Sequence, residues 1–207
     1  FPTIVLQHGT GRVDDYTPWM TRVVPELKRQ NYSVFVADSY TKREPFMKNV
    51  KHLSLSARVM DGFQILNTLS KHPKVDSNRI GIQGYSYGGM VAFFTAYKEL
   101  SDQLAPGVEY SAHMPVYPGC DVVIKHMDQT SAPIEMVVAQ LDNYAPAQDC
   151  VEYAPIIGTL NLYKNAYHGF VNARPKKWHP KVTQFVDCKT GYVNRSGNWV
   201  YNGKERH

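Results

Sequence analysis

The chain has 207 residues, 43% hydrophobic and 20% charged, which is typical of one globular domain with a sizeable core. No stretch reaches the roughly 18 apolar residues of a membrane span, and no signal peptide is recognised. The net charge of +5 is concentrated in residues 171–207, which hold eight Lys or Arg and two Asp or Glu. Without a nucleic-acid-binding motif, this basic segment is interpreted as a solvated surface and not as a nucleic-acid interface.

Apolar runs and amphipathic segments alternate along the first 165 residues. We predict strands over residues 3–7, 33–37, 79–83, 111–117, 134–140 and 160–165, and helices over residues 19–30, 53–70, 88–100 and 147–157. This alternation is typical of parallel βαβ units in an open sheet covered on both faces. Functional side chains are then expected at the carboxyl ends of the strands.

The alternating pattern stops after Phe170, where prolines and glycines interrupt the chain. We predict that residues 1–170 form the core. Residues 171–207 are expected to be a basic C-terminal extension of the same domain, either irregular or folded as a small strand pair. No internal repeat indicates a second domain.

The strongest functional signal is Gly84-Tyr85-Ser86-Tyr87-Gly88, between a predicted strand and a predicted helix. It matches the G-x-S-x-G pattern of a nucleophile on a sharp strand-to-helix turn. Small residues are needed on either side because such a turn packs closely against its neighbours. The helix N-terminus favours the negative charge that develops in acyl transfer. We therefore predict that Ser86 is a nucleophile and not part of a plain connecting turn.

A serine hydroxyl is a weak nucleophile and needs a base. Of the eight histidines, His168 follows the last predicted strand, where a loop can return over Ser86. A third residue should orient the imidazole. Asp142 is favoured because it follows the strand over residues 134–140 and stands between nucleophile and base, with Asp121 and then Asp149 as alternatives.

His8-Gly9-Thr10-Gly11 follows the first strand and resembles a loop that supplies backbone N–H groups to a substrate oxyanion. We predict Tyr87, directly after the nucleophile, as one donor and Thr10 as the other, with Gly9 or Gly11 as alternatives to Thr10. His8 is expected to brace the loop without taking part in the chemistry.

Seven segments match one family in the family's own order over residues 4–170: VLQHGTG, VADSYTKR, RVMDGF, HPKVDSNRIGIQGYSYGG, MPVYPGC, VVAQLDNYAPAQDC and AYHGF. Together they resemble the dienelactone hydrolase family of the α/β-hydrolase superfamily. The resemblance implies an α/β-hydrolase fold, with a mostly parallel central sheet and helices on both faces. It also implies Ser86, Asp142 and His168 as the catalytic triad.

Three features depart from the family pattern. Ser86 stands where dienelactone hydrolases proper have a cysteine, which favours an esterase-like relative. The family's sheet begins with further strands, and a helix follows its catalytic histidine; neither is recognised in this sequence. We therefore expect a version of the fold without the first strands and the last helix.

Asp38, Ser39 and Arg43 match the family segment D-S-F-x-x-R, which lies near the substrate pocket. The planar fork of Arg43 suits a substrate carboxylate. The alternative is a structural ion pair that holds the loop, and Arg58 with Asp61, about one helical turn apart, is a similar candidate pair.

Aromatic residues cluster near the predicted strand ends: Tyr16, Trp19, Tyr40, Tyr85, Tyr87, Tyr117, Tyr144 and Phe170. They suggest an aromatic rim around a pocket for a modest apolar acyl group, although core packing accounts for some of them. Tyr85 and Tyr144 are the candidate substrate-binding residues in this set.

The three cysteines, Cys120, Cys150 and Cys188, have no metal-ligand spacing, so no metal site is predicted. Cys120 and Cys150 follow neighbouring strands and are expected to form a disulfide, with free buried thiols as the alternative and Cys188 left over. A disulfide would favour a periplasmic or secreted protein, and free thiols a cytoplasmic one.

The sequence thus predicts a serine hydrolase of carboxylic esters or lactones that works through an acyl-enzyme on Ser86 and needs no cofactor. A peptidase or acyltransferase with the same triad is one alternative, and a non-catalytic binding module on a degenerate hydrolase scaffold is another. We expect a small-molecule substrate, with no nucleic acid and no membrane span; no oligomeric state is predicted.

Overall fold

A computed structural model describes residues 1–46, 49, 53–124, 128–172, 191–193, 199–201 and 204–206. Its main sheet has six parallel strands: β1 (Thr3–Gln7), β2 (Ser33–Ala37), β3 (Ile80–Tyr85), β4 (Ala112–Val116), β6 (Glu135–Ala139) and β7 (Thr159–Tyr163). Their order across the sheet is β2-β1-β3-β4-β6-β7. The order turns back at β1 and β3, so the carboxyl ends of these central strands border the crevice where α/β proteins bind ligands.

Five α-helices in the described part of the chain connect or flank these strands: α1 (Thr17–Arg29), α2 (Leu55–Leu69), α3 (Tyr87–Phe94), α4 (Lys98–Leu104) and α5 (Ala147–Ile157). Single-turn 3₁₀ segments cover Val13–Tyr16, Glu44–Phe46 and Phe170–Asn172. No helix within the described residues is long and apolar enough to cross a membrane.

Two hydrophobic clusters cover opposite faces of the main sheet. Successive strand residues point to opposite faces, so Val5 belongs to the cluster under α2 and α3, whereas Leu6 belongs to the cluster under α1. The first cluster includes Phe63 from α2, and the second includes Leu27 from α1. Helices on both faces of a parallel sheet confirm the predicted α/β-hydrolase architecture.

The predicted helix over residues 88–100 is wrong in one respect, because it is two helices. α3 ends at Phe94 and α4 begins at Lys98. Between them the backbone pairs with a distant loop: the Lys98 N–H donates to the Asp128 carbonyl at 2.8 Å, and the Thr130 N–H donates to the Ala96 carbonyl at 2.8 Å. The local hydrophobic pattern carries no signal of this long-range pairing, so it could not predict the break between the two helices.

A second, smaller sheet joins three strands of the predicted extension to one strand within residues 1–170. Its strands are β5 (Val122–Ile124), β8 (Gly191–Val193), β9 (Trp199–Tyr201) and β10 (Lys204–Arg206), in the order β10-β9-β8-β5. β8, β9 and β10 are antiparallel neighbours, and β5, which the sequence did not predict, pairs with β8 in parallel. Most of the predicted extension, residues 171–207, lies outside the described residues.

Candidate active site

Ser86 occupies the turn between β3 and α3 with backbone angles φ 54° and ψ −119°. A positive φ is uncommon for a residue with a side chain and stores strain that the surrounding structure must hold. Here the Ser86 N–H donates to the Val116 carbonyl of β4 at 2.9 Å, and the Ser86 carbonyl accepts from the Met90 N–H at 3.1 Å. The side chain is therefore presented at the carboxyl edge of the sheet.

The glycines around Ser86 are required by close backbone approach. A Cβ on Gly84 would lie 1.9 Å from the Gly88 carbonyl oxygen. A Cβ on Gly88 would lie 2.4 Å from the carbonyl oxygens of both Gln7 and His8. The backbone at Gly84 thus packs directly against Gly88, and Gly88 packs directly against the end of β1. This packing places the His8–Gly11 loop next to Ser86.

Three side chains form one hydrogen-bonded chain at this edge. The His168 Nε2 lies 2.9 Å from the Ser86 Oγ, and the His168 Nδ1 lies 2.7 Å from the Asp142 Oδ2. This arrangement suits proton transfer from a serine to an imidazole whose tautomer is held by a carboxylate. The geometry brings together the three residues that the sequence predicted.

The Asp142 side chain is fully buried, and both of its oxygens are used. Oδ2 faces His168, while Oδ1 accepts from the N–H groups of Tyr144 at 3.0 Å and Ala145 at 2.8 Å. The loop that carries the histidine is tied to the same segment, since the Leu141 N–H donates to the Ala166 carbonyl at 2.9 Å. Backbone hydrogen bonds therefore hold both the Asp142 carboxylate and the loop that carries His168.

Aromatic rings hold the imidazole from two directions. The rings of Tyr117 and Tyr144 each lie 4.9 Å from the His168 ring in edge contact, and Phe170 packs against Tyr117 at 5.6 Å. Tyr117 is buried, whereas Tyr144 is partly exposed. The contact of Tyr117 with the histidine was missed by the sequence analysis, which placed this residue only in the general aromatic set.

The His8–Gly11 loop is braced from inside the protein. The His8 Nδ1 lies 2.8 Å from the carbonyl oxygens of both Gly9 and Gly11, so this nitrogen carries the proton and donates. The other nitrogen, Nε2, accepts from the Ser39 N–H at 3.3 Å. Burial, reinforced by the nearby Arg58 guanidinium, lowers the pKa of His8 to about 4. His8 is thus a neutral brace with a defined tautomer.

The two predicted oxyanion donors lie on the segments that meet at Gly88. Tyr87 is the first residue of α3, where N–H groups have no intrahelical acceptor. Within the described part of the chain, neither the Tyr87 N–H nor the Thr10 N–H donates to another backbone carbonyl. Both amides are therefore candidates to donate to a substrate oxygen.

Arg43 forms a structural ion pair. Its two terminal nitrogens donate to the two carboxylate oxygens of Asp61 at 2.7 Å each, and Nη1 also donates to the Ser39 carbonyl at 2.8 Å. The predicted alternative pair is corrected, since Asp61 binds Arg43 and not Arg58. Arg43 borders a cleft of about 300 Å³ whose lining does not include the triad. This geometry argues against Arg43 as a substrate ligand.

The remaining aromatic candidates divide by burial. Tyr85 is 2% exposed and its hydroxyl contacts the Gln83 side chain, so it packs in the core beneath the turn. Tyr144, beside His168, stays a candidate for substrate contact. The side chains of Tyr16 and Trp19 lie outside the described part of the structure.

Cys120 and Cys150 form the expected disulfide, with their Cα atoms 5.1 Å apart. It links the loop after β4 to α5, which follows the Asp142 loop. Burial raises the pKa of the Asp121 carboxyl, next to the disulfide, and Asp149 lies in the first turn of α5. The His168 ring contacts Asp142 and not these alternatives. Cys188 lies outside the described residues.

The family of the chain is shown by one comparison with known sequences. A family model described as the dienelactone hydrolase family matches residues 4–196. No curated protein sequence matches the chain. Among groups of His, Cys, Asp and Glu in the described segments, none could hold a metal ion.

Several solved structures share the fold. A hydrolase of the alpha/beta superfamily from Xanthomonas campestris pv. campestris has 18% identity, covering 81% of this chain and 88% of that one, with a TM-score of 0.55. Esterase 2 from Thermogutta terrifontis, phosphonylated by cyclosarin, has 16% identity, covering 84% and 75%, with a TM-score of 0.62. A CIB-like hydrolase from Thermoplasma acidophilum has 16% identity, covering 83% and 79%, with a TM-score of 0.56.

Proposed function

Because the chain belongs to the dienelactone hydrolase family, we propose that it hydrolyses carboxylic esters or lactones through an acyl-enzyme on Ser86. The family implies a small-molecule substrate. The observation that carries the finer proposal is the continuous chain from the Ser86 Oγ through the His168 ring to the Asp142 carboxylate, at 2.9 and 2.7 Å.

The first half-reaction forms the acyl-enzyme. The Ser86 Oγ attacks the substrate carbonyl carbon while its proton passes to the His168 Nε2. The negative charge that develops on the carbonyl oxygen is accepted by the N–H groups of Tyr87 and Thr10. When the tetrahedral intermediate collapses, the bond to the leaving alkoxide breaks and His168 returns the proton to it.

The second half-reaction releases the acid. Water attacks the acyl carbon as its proton passes to His168, and collapse returns the proton to the Ser86 oxygen while the carboxylic acid leaves. Asp142 keeps the imidazole in the tautomer with the proton on Nδ1, which leaves Nε2 free to accept. For a lactone, the leaving alkoxide stays attached, and the product is a hydroxy acid.

The test is hydrolysis of p-nitrophenyl esters from acetate to decanoate by the parent protein and by Ser86→Ala. Loss of a triad member leaves only oxyanion stabilisation and substrate binding. We therefore expect the variant to lose most of its hydrolysis rate and to keep a rate acceleration of about 10³–10⁴ over the uncatalysed reaction in water. Ser111→Ala, at an exposed site before β4, is the matched control and should retain the parent rate. Ser86→Ala activity within tenfold of the parent would rule out Ser86 as the nucleophile.

A fluorophosphonate label separates the enzyme from a non-catalytic module. Thermogutta terrifontis esterase 2 is phosphorylated by paraoxon and phosphonylated by cyclosarin, and we expect a fluorophosphonate to modify Ser86 in the same type of reaction. A parent protein that is neither labelled nor active on any ester in the series would contradict the proposed function.

A further inference from the structure

Arg58 of α2 is completely buried, although arginine is rarely found in that state. Its guanidinium lies 5.6 Å from the centroid of the Tyr40 ring and 5.3 Å from that of Tyr87, within the range of cation–π attraction. Gly62 and Leu66, buried one and two helical turns further on, lie on the same face of the helix. A cation on an otherwise apolar face is the sequence signal that could have identified it as a special residue.

The guanidinium also binds the backbone of the His8–Gly11 loop. Nη1 donates to the Gly9 carbonyl at 2.9 Å, and Nη2 donates to the His8 carbonyl at 2.5 Å. In a planar trans peptide the C=O and the following N–H point in opposite directions. Because Arg58 holds the Gly9 carbonyl, the Thr10 N–H must point away from Arg58.

Arg58 therefore touches both segments that carry the proposed oxyanion donors. It holds the Gly9–Thr10 peptide by its carbonyl, and it packs on the ring of Tyr87, whose N–H is the second donor. The same two segments also approach each other closely at Gly88, where an added Cβ would lie 2.4 Å from the carbonyl oxygens of Gln7 and His8. One side chain from a separate helix thus contacts the segments of both amides.

We infer that Arg58 is a positioning residue for the oxyanion hole, which aims the Thr10 N–H and supplies a fixed positive charge behind it. This inference rests on the proposed hydrolase function. A hydrogen bond from a cation to the Gly9 carbonyl polarises that peptide and makes the Thr10 N–H a better donor. Preorganised dipoles of this kind act where negative charge develops, so the effect belongs to the transition state.

Arg58→Met and Arg58→Lys test this role on the full chain with p-nitrophenyl butyrate. Removing one oxyanion donor costs about 10²–10³ in kcat, and misdirecting it should cost about 10–100-fold, with KM within about threefold of the parent. Arg58→Lys keeps the charge without the planar fork and should recover part of the rate. Arg79→Met, at an exposed ion pair far from the loop, is the control and should change neither constant.

A second measurement separates positioning from loose folding. An alkyl trifluoromethyl ketone forms a tetrahedral oxyanion on the nucleophile, so its inhibition constant should rise in proportion to the loss of kcat/KM. Inhibition by butyrate, which has no tetrahedral oxyanion, should change less than threefold. Near-UV circular dichroism checks that each variant is folded.

Three outcomes would overturn the inference: a kcat for Arg58→Met within threefold of the parent, a rise in KM with kcat retained, or failure of both Arg58 variants to fold. The last would make Arg58 a structural residue only. An inactive and unlabelled parent protein would instead show that the proposed function itself is wrong.

Discussion

The carboxylate of Asp142 faces the His168 ring with one oxygen, 2.7 Å from Nδ1, and its own loop with the other. Its side chain has no exposed surface, whereas a quarter of the His168 side chain is exposed. The Asp142 carboxylate is therefore held in place by backbone N–H groups, and the His168 ring extends from it toward the Ser86 hydroxyl at the edge of the sheet. Preorganisation of this kind avoids reorientation during the reaction.

Asp142→Asn should lower kcat on p-nitrophenyl butyrate by about 10⁴, because an amide in this place can donate to Nδ1 and favour the tautomer that cannot accept the Ser86 proton. Steady-state kinetics at a fixed pH measure the effect. Asp121→Asn and Asp149→Asn are matched controls and should stay within a few-fold of the parent. A harmless Asp142→Asn alongside a damaging Asp121→Asn would mean that the acid had been misassigned.

Gly88→Ala should disturb both stability and activity. The new Cβ would lie 2.4 Å from two backbone carbonyl oxygens, of Gln7 and His8, which cannot rotate away. We expect a loss of about 1–3 kcal/mol in the free energy of unfolding. A shift of about 1 Å between Ser86 and the Thr10 loop would lower kcat by about 100-fold.

Gly62→Ala is the control for Gly88→Ala. Its Cβ would meet only side-chain ends, the Thr95 Cγ2 at 3.3 Å and the Val91 Cγ1 at 3.4 Å, and alanine favours the helix. Urea unfolding should place Gly62→Ala within about 1 kcal/mol of the parent. Equal stability and activity for the two variants would show that the approach of the turn to β1 is not needed.

The Cys120–Cys150 disulfide closes a segment with a sequence separation of 30 and should stabilise the fold by about 3–4 kcal/mol. The double variant Cys120→Ser, Cys150→Ser is expected to unfold at a lower temperature than the parent. Dithiothreitol should lower the melting temperature of the parent toward that of the double variant, which should itself be insensitive. Cys188→Ser is the control for a general effect of losing a thiol, and a parent that melts alike with and without reductant would argue against this bond.

Stability should fall in mild acid because of two buried histidines. Burial lowers the pKa of His113 to about 4, and burial with the Arg58 charge does the same for His8. An unfolded histidine titrates near about 6.5, so between about 6.5 and 4 the unfolded chain binds protons that the folded chain does not. The neutral rings therefore make their full contribution to the free energy of unfolding above about pH 6.5. This contribution is lost as the pH falls, by up to about 3 kcal/mol for each histidine.

Urea unfolding between pH 8 and pH 4 measures this dependence. His113→Gln should flatten the slope, whereas His72→Gln, at an exposed position, should leave it unchanged. A free energy of unfolding that stays constant from pH 7 to pH 4.5 would contradict the neutral state of these buried rings.

The positions of the parallel strands along the chain and the turn that carries Ser86 were predictable because both depend on local pattern. The turn around Ser86 needs glycine on either side whatever surrounds it, so its residues mark it in the sequence. The core strands are recognisable as continuous apolar runs because they are buried on both faces of the sheet. The three triad residues follow strand ends, and parallel strands bring their carboxyl ends to one edge.

Other contacts were decided only when distant segments met. Asp61 lies three residues from Arg58, yet it binds Arg43 across 18 positions, while Arg58 reaches the carbonyls of a loop 49 and 50 positions away. Periodicity reports which face a residue occupies, not which of several polar partners it will meet there. The sequence by itself determined the succession of strands and helices along this chain and the glycine-flanked turn that carries Ser86. The tertiary structure decided which cation holds which oxygen, because those choices follow from the packing of the strands and helices against each other.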